Sequence, residues 1–477
     1  MNRPIVRLYG LVVVLFALLI AFTSRWTVFE ASSLRSSALN KRGVLQQQRI
    51  ARGEIVAADG TVLARSVRGP EGTFTRSYPT GAEFTHAVGY SYITLGQAGT
   101  ERYRSAALDG LLGTSVQSIL DELQGRKRQG DTVLTTLRPA AQRAAIAALG
   151  EHEGAVVALQ PRTGAVEVMA STPSYDANTL SSPTSFERLT RDPRSPLVNR
   201  TTQFGYAPGS TFKVVTATAA IDSGQFTPES TVSGRNEVPI SGVPLKNDNN
   251  ENLGQITLTE ALAKSVNTVY AQVAERLGKQ TMARYMSRFG FDRKPKLDYP
   301  AEQMSSSGEY RNGRLLAPTS AYVDVGRMGI GQDKLQVTPL QMAEVAAAVA
   351  NRGTLMTPHL ASAIVEPDGR VVQRIAPKAQ SVVMKPPTAA ALTKMMEAVV
   401  NEGTGTSAQI PGVQVAGKTG TAETQIGTAI NNVWFIAFAP AQDPTVAVAV
   451  TLKGVPGFGA AFAAPVAKQV MEVLLHG

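Results

Sequence analysis

The chain has 477 residues, 47 Lys and Arg against 37 Asp and Glu, four His, no Cys and 43% hydrophobic residues. That length suggests two or three domains, and well-mixed charge excludes collagen-like, low-complexity and largely disordered chains. The absence of Cys removes disulfide frameworks, thiolate nucleophiles, iron–sulfur clusters and Cys-type zinc sites.

The four His (His86, His152, His359, His476) are scattered, with no HExxH or His-x-His pair. No metal or organic cofactor is expected, and a hydrolase or transferase on this chain needs a base other than His. The net charge of +10 is spread along the chain, and its densest cluster is the short Arg126-Lys127-Arg128. Without zinc-finger spacing, a basic zipper or an aromatic-plus-basic RNA motif, nucleic acid is not an expected partner. A mildly basic protein beside an anionic surface or polymer is the simpler account.

In chain order, the first element is the apolar run Leu8 to Phe22, extended by Ile5 and Val6 around Arg7. About 18 residues is near the lower limit for a membrane-spanning helix. The run ends in Thr23-Ser24-Arg25-Trp26 without an Ala-x-Ala site, which favours an uncleaved signal anchor over a cleaved signal peptide, and Trp26 suits an interfacial anchor. Arg3 and Arg7 precede the run while Arg25, Arg35, Lys41 and Arg42 follow it, so charge leaves the topology open.

Ala31 to Gln48 reads as a juxtamembrane helix or stalk. Gly53 to Ala57 and Thr61 to Ala64, around Asp59-Gly60, give a hairpin signal. The rest of the segment to about Arg138 is irregular, with one helical stretch near Ser115–Leu123. From Gly154 a larger domain begins: two strands, Ala155–Leu159 and Val166–Ala170, then helical patterns from Thr211 to about Val400. Strand signals return in Val413–Thr421, Asn432–Ala439 and Thr445–Leu452, and a helix from Pro465 to Leu475 follows. The expected class is α+β, an antiparallel sheet flanked by helices. The expected division is 1–25 tail and anchor, 26–140 N-terminal module, 150–477 main domain.

Three motifs carry chemistry. In Tyr206-Ala-Pro-Gly-Ser210-Thr-Phe-Lys213, a Pro-Gly turn puts Ser210 at a helix start, with Lys213 on the same helix face. A Ser hydroxyl needs a neighbouring base, and a buried Lys of lowered pKa can serve. Free N–H groups at the helix start can stabilise an oxyanion. Taken singly, the motif is more often an N-cap Ser with a solvated Lys. In Lys264-Ser265-Val266-Asn267, Ser265 offers a hydroxyl to relay protons and Asn267 an amide for a substrate carbonyl; singly, this is more often a helix-terminal cap. In Val413 to Ala422, alternation says strand, Gly417 and Gly420 admit close backbone approach, and Lys418 and Thr419 can meet a carboxylate. The strand edge can pair with an extended peptide, although singly it is an ordinary edge strand.

Together SxxK, SxN some 50 residues on and KTGT about 150 beyond form the set of penicillin-interacting serine enzymes. The chain resembles a class B penicillin-binding protein, a monofunctional peptidoglycan D,D-transpeptidase of the actinobacterial elongation or division type. The resemblance rests on 154–178, YAPGSTFK, 329–353, GTGTSAQ, GKTGTAE and WFIAFAPAQDP, and more weakly on RGEIVAADGTVLA and GTERYRSAALDG, which look like pedestal motifs.

The resemblance implies the penicillin-binding, serine β-lactamase-like fold over 150–477, a pedestal over 26–140, and a short cytoplasmic tail with the catalytic domain extracytoplasmic. It implies Ser210 as acylated nucleophile, Lys213 as its base, Ser265 and Lys418 as proton relay, and Asn267 as a substrate-backbone ligand. Thr419 and Thr421, flanking Gly420, would hold the terminal carboxylate of D-Ala or a β-lactam, with the Ser210 and Thr421 N–H groups as oxyanion hole. Val266 stands where serine β-lactamases carry Asp. The implied partners are peptidoglycan stem peptides, β-lactams, the membrane and a polytopic glycosyltransferase of the shape-elongation-division-sporulation group. A D,D-carboxypeptidase would share these residues. A serine β-lactamase is disfavoured by the anchor and the extra module, a bifunctional class A enzyme by lack of room, and a non-catalytic scaffold or sensor by the intact motifs.

Overall fold

The computed structural model describes residues 3–24, 49–112, 129–423 and 430–476. The expected stalk, Trp26, the Ser115–Leu123 helix and the Arg126-Lys127-Arg128 cluster lie outside them. The chain divides into two compact units, one of residues 1–51 and 67–75, the other of 52–66 and 76–477. The first carries helix α1 (Arg3–Ser24), whose 22 residues outrun the apolar run at both ends. At 1.5 Å per residue it is about 33 Å long, close to the hydrocarbon thickness of a bilayer. Residues Arg3–Thr23 have a mean hydropathy of 2.7 and are long and apolar enough to cross a membrane.

Strands β1 (Ile55–Val56) and β2 (Val62–Arg68) pair with Ile55 opposite Ala64. The Asp59-Gly60 turn between them is tied by the Thr61 N–H donating to Asp59 Oδ1 at 2.9 Å, with Gly60 at φ +89°. Strand β3 (Thr132–Thr135) runs parallel to β1. Helix α2 (Pro139–Leu149) leads to β4 (Gly154–Leu159) and β5 (Val166–Thr172). Then come α3 (Lys213–Asp222), α4 (Leu258–Ala263), α5 (Asn267–Phe289, interrupted at Gly278) and α6 (Pro339–Ala350). After them follow β6 (Ala361–Val365), β7 (Val371–Arg374) and α7 (Pro386–Asn401). Three long strands, β8 (Ala416–Glu423), β9 (Ile430–Ala439) and β10 (Val446–Pro456), precede α8 (Gly459–His476).

The central sheet has the order β8-β9-β10-β4-β5 and is antiparallel throughout. Val156, Ala158, Val448 and Val450 point into one core cluster with α2 and α8, from which Ala141, Ala145, Ala467 and Val470 project. Val157, Leu159, Ala447 and Ala449 point into the other, with Val214, Leu340 and Leu392. Burial on both faces explains why β4 reads as an unbroken apolar run rather than an alternating one. The fold class is α+β as expected.

Two details differ from the sequence reading. The stretch expected to be mainly helical also contributes β6 and β7, which join β3, β1 and β2 as five neighbouring strands of a second sheet, in the order β7-β6-β3-β1-β2. Short strands that owe their place to distant partners carry little local pattern. The last helix starts at Gly459, not Pro465. Gly459 lies so close to the sheet that a Cβ there would sit 2.4 Å from the Trp434 carbonyl oxygen, and Pro465 is accommodated inside the helix.

Candidate active site

Ser210 lies on a tight turn, Gly209–Phe212, that feeds directly into α3. Gly209 has φ +52°, and a Cβ there would meet the Thr421 carbonyl oxygen at 2.3 Å. Its N–H donates to the Gly331 carbonyl at 3.0 Å, and Gly331, at φ +75°, approaches just as closely, its virtual Cβ 2.0 Å from the Gly209 oxygen. Gly420 completes the contact, with room for no Cβ beneath the Pro208 carbonyl. The Trp434 indole N–H donates to the Ala207 carbonyl at 2.9 Å. The Ser210 turn is thus pressed backbone to backbone against the edge strand β8.

Behind Ser210, two lysines are fully buried. Lys213 Nζ donates to the Ser265 carbonyl at 2.5 Å, to Asn267 Oδ1 at 2.7 Å and to Ser265 Oγ at 3.3 Å. Lys418 Nζ donates to Ser265 Oγ at 2.9 Å, to the Thr419 carbonyl at 3.1 Å and to Thr419 Oγ1 at 3.3 Å. Ser265 therefore joins the two amines. It sits between α4 and α5 at φ +62°, a left-handed conformation rare for Ser, held because both its carbonyl and its hydroxyl are engaged.

Burial dominates the electrostatics. Desolvation lowers Lys213 from 10.5 to about 7, partly offset by the Asp248 carboxylate. Lys418 is driven well below its ordinary value by desolvation first and by the charge of Lys213 second. Two ammonium groups sharing one hydroxyl in a dry site repel strongly, so near neutrality the pair holds less than two protons.

The cleft in front has a volume of about 390 Å³ and is lined by Ser210, Asn267, Thr421, Asp248, Gln332 and Glu423, among others. Of the expected residues, Ser210, Asn267 and Thr421 thus face the cleft. Lys213, Ser265, Lys418 and Thr419 form the hydrogen-bonded layer behind it, and Gly420 is the contact under the turn. Lys213 bonds Ser265 and Asn267 rather than Ser210. The Thr421 hydroxyl accepts from the Gly459 N–H at 3.3 Å, and Thr419 Oγ1 is 2.7 Å from Thr404 Oγ1.

Sequence reasoning missed several supports. Thr404 reaches Thr419 because Gly403 passes against the Ala263 carbonyl, where a Cβ would sit at 2.4 Å. Gly331, Trp434 and Asp248 were also missed. Gly403, Thr404, Gly331 and Trp434 stand in stretches that carry the family resemblance, whereas Asp248 left no local trace.

A cleft-facing Ser210 backed by a buried Lys213–Ser265–Lys418 network on an α+β scaffold defines a serine acyltransferase site of the penicillin-interacting kind. The chain belongs to the penicillin-binding protein transpeptidase family, whose domain model matches residues 154–472; a penicillin-binding protein A dimerisation domain model matches 52–133. Among its relatives is peptidoglycan D,D-transpeptidase PbpA of Mycolicibacterium smegmatis, 35% identical over 503 residues, covering 100% of this chain and 99% of that one. Peptidoglycan D,D-transpeptidase MrdA of Escherichia coli K12 is 29% identical over 463 residues, covering 84% of this chain and 71% of that one. Among solved structures, the ceftriaxone acyl-enzyme complex of penicillin-binding protein A from M. tuberculosis superposes with a TM-score of 0.81 at 33% identity, covering 90% of this chain and 100% of that one.

Proposed function

We propose that the protein is a peptidoglycan D,D-transpeptidase that cross-links stem peptides through a Ser210 acyl-enzyme and is inhibited by β-lactams. The observation that carries this is the pair of buried amines bridged by Ser265 directly behind Ser210. In the first step neutral Lys213 takes the Ser210 proton as Oγ attacks the penultimate D-Ala carbonyl. N–H groups at the start of the turn and of Thr421 receive the oxyanion. The C–N bond then breaks, and Lys418 with Ser265 passes a proton to the departing D-Ala amine. In the second step an amine from a neighbouring stem attacks the ester, loses its proton to the same relay and frees Ser210. Asn267 orients the donor backbone, and Thr419 and Thr421 hold its terminal carboxylate next to the Lys418 charge. β8 is an edge strand, which supports docking of the donor as an extended segment along it.

The reading extends to the whole chain: a cytoplasmic tail and anchor over 1–25, a pedestal over 26–140 and the transpeptidase domain over 150–477. The apolar helix α1 supports one membrane crossing; placement of the catalytic domain outside rests on the family resemblance. A polytopic glycosyltransferase of the shape-elongation-division-sporulation group is the proposed partner of the pedestal, on family resemblance.

Labelling with a fluorescent penicillin, for wild type and Ser210→Ala, tests the reading. A stable adduct lost in Ser210→Ala is expected. A folded wild type that takes no label refutes it, and an adduct that vanishes within seconds reassigns the site to β-lactam hydrolysis.

A further inference from the structure

The lysine pair is short of opposite charge. Among the described residues, no carboxylate hydrogen-bonds or ion-pairs with Lys213 or Lys418. One carboxylate reaches them through a single intermediary. Asn267 accepts from Lys213 Nζ on Oδ1 at 2.7 Å, and its Nδ2 donates to Asp248 Oδ1 at 3.0 Å. Asp248 itself lies on the cleft wall.

The placement of Asp248 is built rather than incidental. It opens a short turn, Asp248–Asn250, in which Asn249 and Asn250 both have positive φ. The preceding Asn247 is buried and clamps the loop. Its Nδ2 donates to the Gly234 and Glu251 carbonyls, and its Oδ1 accepts from the Thr268 N–H at 3.0 Å, one residue beyond Asn267. The loop is therefore pinned to the start of α5, where it meets the Asn267 side chain.

We propose that Asp248 is a positioning residue for acylation: its carboxylate fixes the orientation of the Asn267 amide and supplies the negative charge that keeps part of the proton load on the Lys213–Lys418 pair. An Asn side chain has a donor end and an acceptor end. The carboxylate accepts only, so it selects the amide's donor end and turns the acceptor end to Lys213. The same charge favours the protonated amines, consistent with its opposing the effect of burial on both. The other nearby charges are spoken for or remote from the pair: Lys246 pairs with Glu237, Lys264 pairs with Glu260, and Glu423 stands on the cleft wall without a bond to either amine.

This inference rests on the acylation chemistry proposed above, and the test separates the two. The rate of acylation of the full-length protein in detergent by a fluorescent penicillin is followed from pH 5.5 to 9 for wild type, Asp248→Asn, Asp248→Ala and Asp248→Glu. The limb that rises from the acid side reports formation of neutral Lys213. Removing a partly solvated carboxylate moves that limb to lower pH by about half a pH unit. Asp248→Asn shows this shift with its plateau nearly kept, because its amide oxygen still accepts from Asn267. Asp248→Ala shows the shift and a plateau lowered several-fold, and Asp248→Glu restores the wild-type limb. A limb in Asp248→Asn that superposes on wild type, or moves to higher pH, overturns the inference. A wild type that takes no label overturns the transpeptidase reading instead.

Discussion

Lys213→Met removes a buried amine and keeps an unbranched chain of similar length in the same space. A fall in pKa from 10.5 to about 7 on folding means that the unfolded chain binds more protons than the native one at neutral pH. Stability must therefore rise with pH across this window. At pH 7 the lysine opposes folding by about 4 kcal/mol, and at pH 9 by about 2 kcal/mol, on 1.36 kcal/mol per tenfold change in protonation. The hydrogen bonds lost to Ser265 and Asn267 act against the variant, but nearly equally at both pH values. The difference between variant and wild type thus isolates the charge. Lys213→Met should gain about 2 kcal/mol more relative to wild type at pH 7 than at pH 9. For a unit of this size that is roughly 2 °C in melting temperature. Relief of Lys418 from its neighbour's charge works in the same direction. Melting of the full-length protein in detergent at the two pH values reads the effect, alongside complete loss of acylation. A gap that stays constant or widens with pH would refute the argument.

Three further outcomes are expected. Gly331→Ala would place a methyl 2.0 Å from the Gly209 carbonyl oxygen at a left-handed φ, so it should slow acylation at least about tenfold and lower the melting temperature, read by stopped-flow labelling and calorimetry. Glu101→Gln strips the charge from a fully buried carboxylate clamped by Arg52 at 2.8 Å and Arg76 at 2.5 Å, and should destabilise the protein by about 3–5 kcal/mol in denaturant unfolding. Because the two guanidiniums hold Glu101 below the ordinary carboxylate value despite its burial, that stabilisation is present at neutral pH and is lost as pH falls through its native value. Trp434→Phe leaves the Ala207 carbonyl without its donor and should lower the acylation rate several-fold while costing about 1–2 kcal/mol of stability in the same melts.

How much of this could be read beforehand follows from the range of the forces involved. The strands of the central sheet are long and buried, so their apolar runs stand out; the sequence pattern starts β8 three residues early because Val413-Gln414-Val415 alternates like a strand without being paired into β8. Ser210, Lys213, Ser265, Asn267 and Lys418 were legible because each sits in a short motif with its own turn or strand grammar. Their supports were not. Asp248 touches the site only because Asn247 ties its loop to Thr268, and Thr404 only because Gly403 slips past Ala263. Nor did spacing tell that Lys213 would bond Ser265 and Asn267 instead of Ser210. A Ser and a Lys three apart share a helix face, but a burial of this depth draws the amine towards carbonyl and amide oxygens that only the fold brings near.

The strand order of the central sheet also sets when the site can exist. β4 lies next to β10, Val156 opposite Val450, so the sheet cannot form until almost the whole catalytic region has emerged. Contacts so distant in sequence are slow to form, because loop closure precedes any gain from pairing. Ser210 and Lys213 are synthesised about 200 residues ahead of Lys418, yet without β8 there is no second amine and no wall for the turn to rest on. A chain still being synthesised therefore carries Ser210 as an ordinary hydroxyl. Antibiotic present during synthesis would react with finished molecules and leave nascent ones untouched.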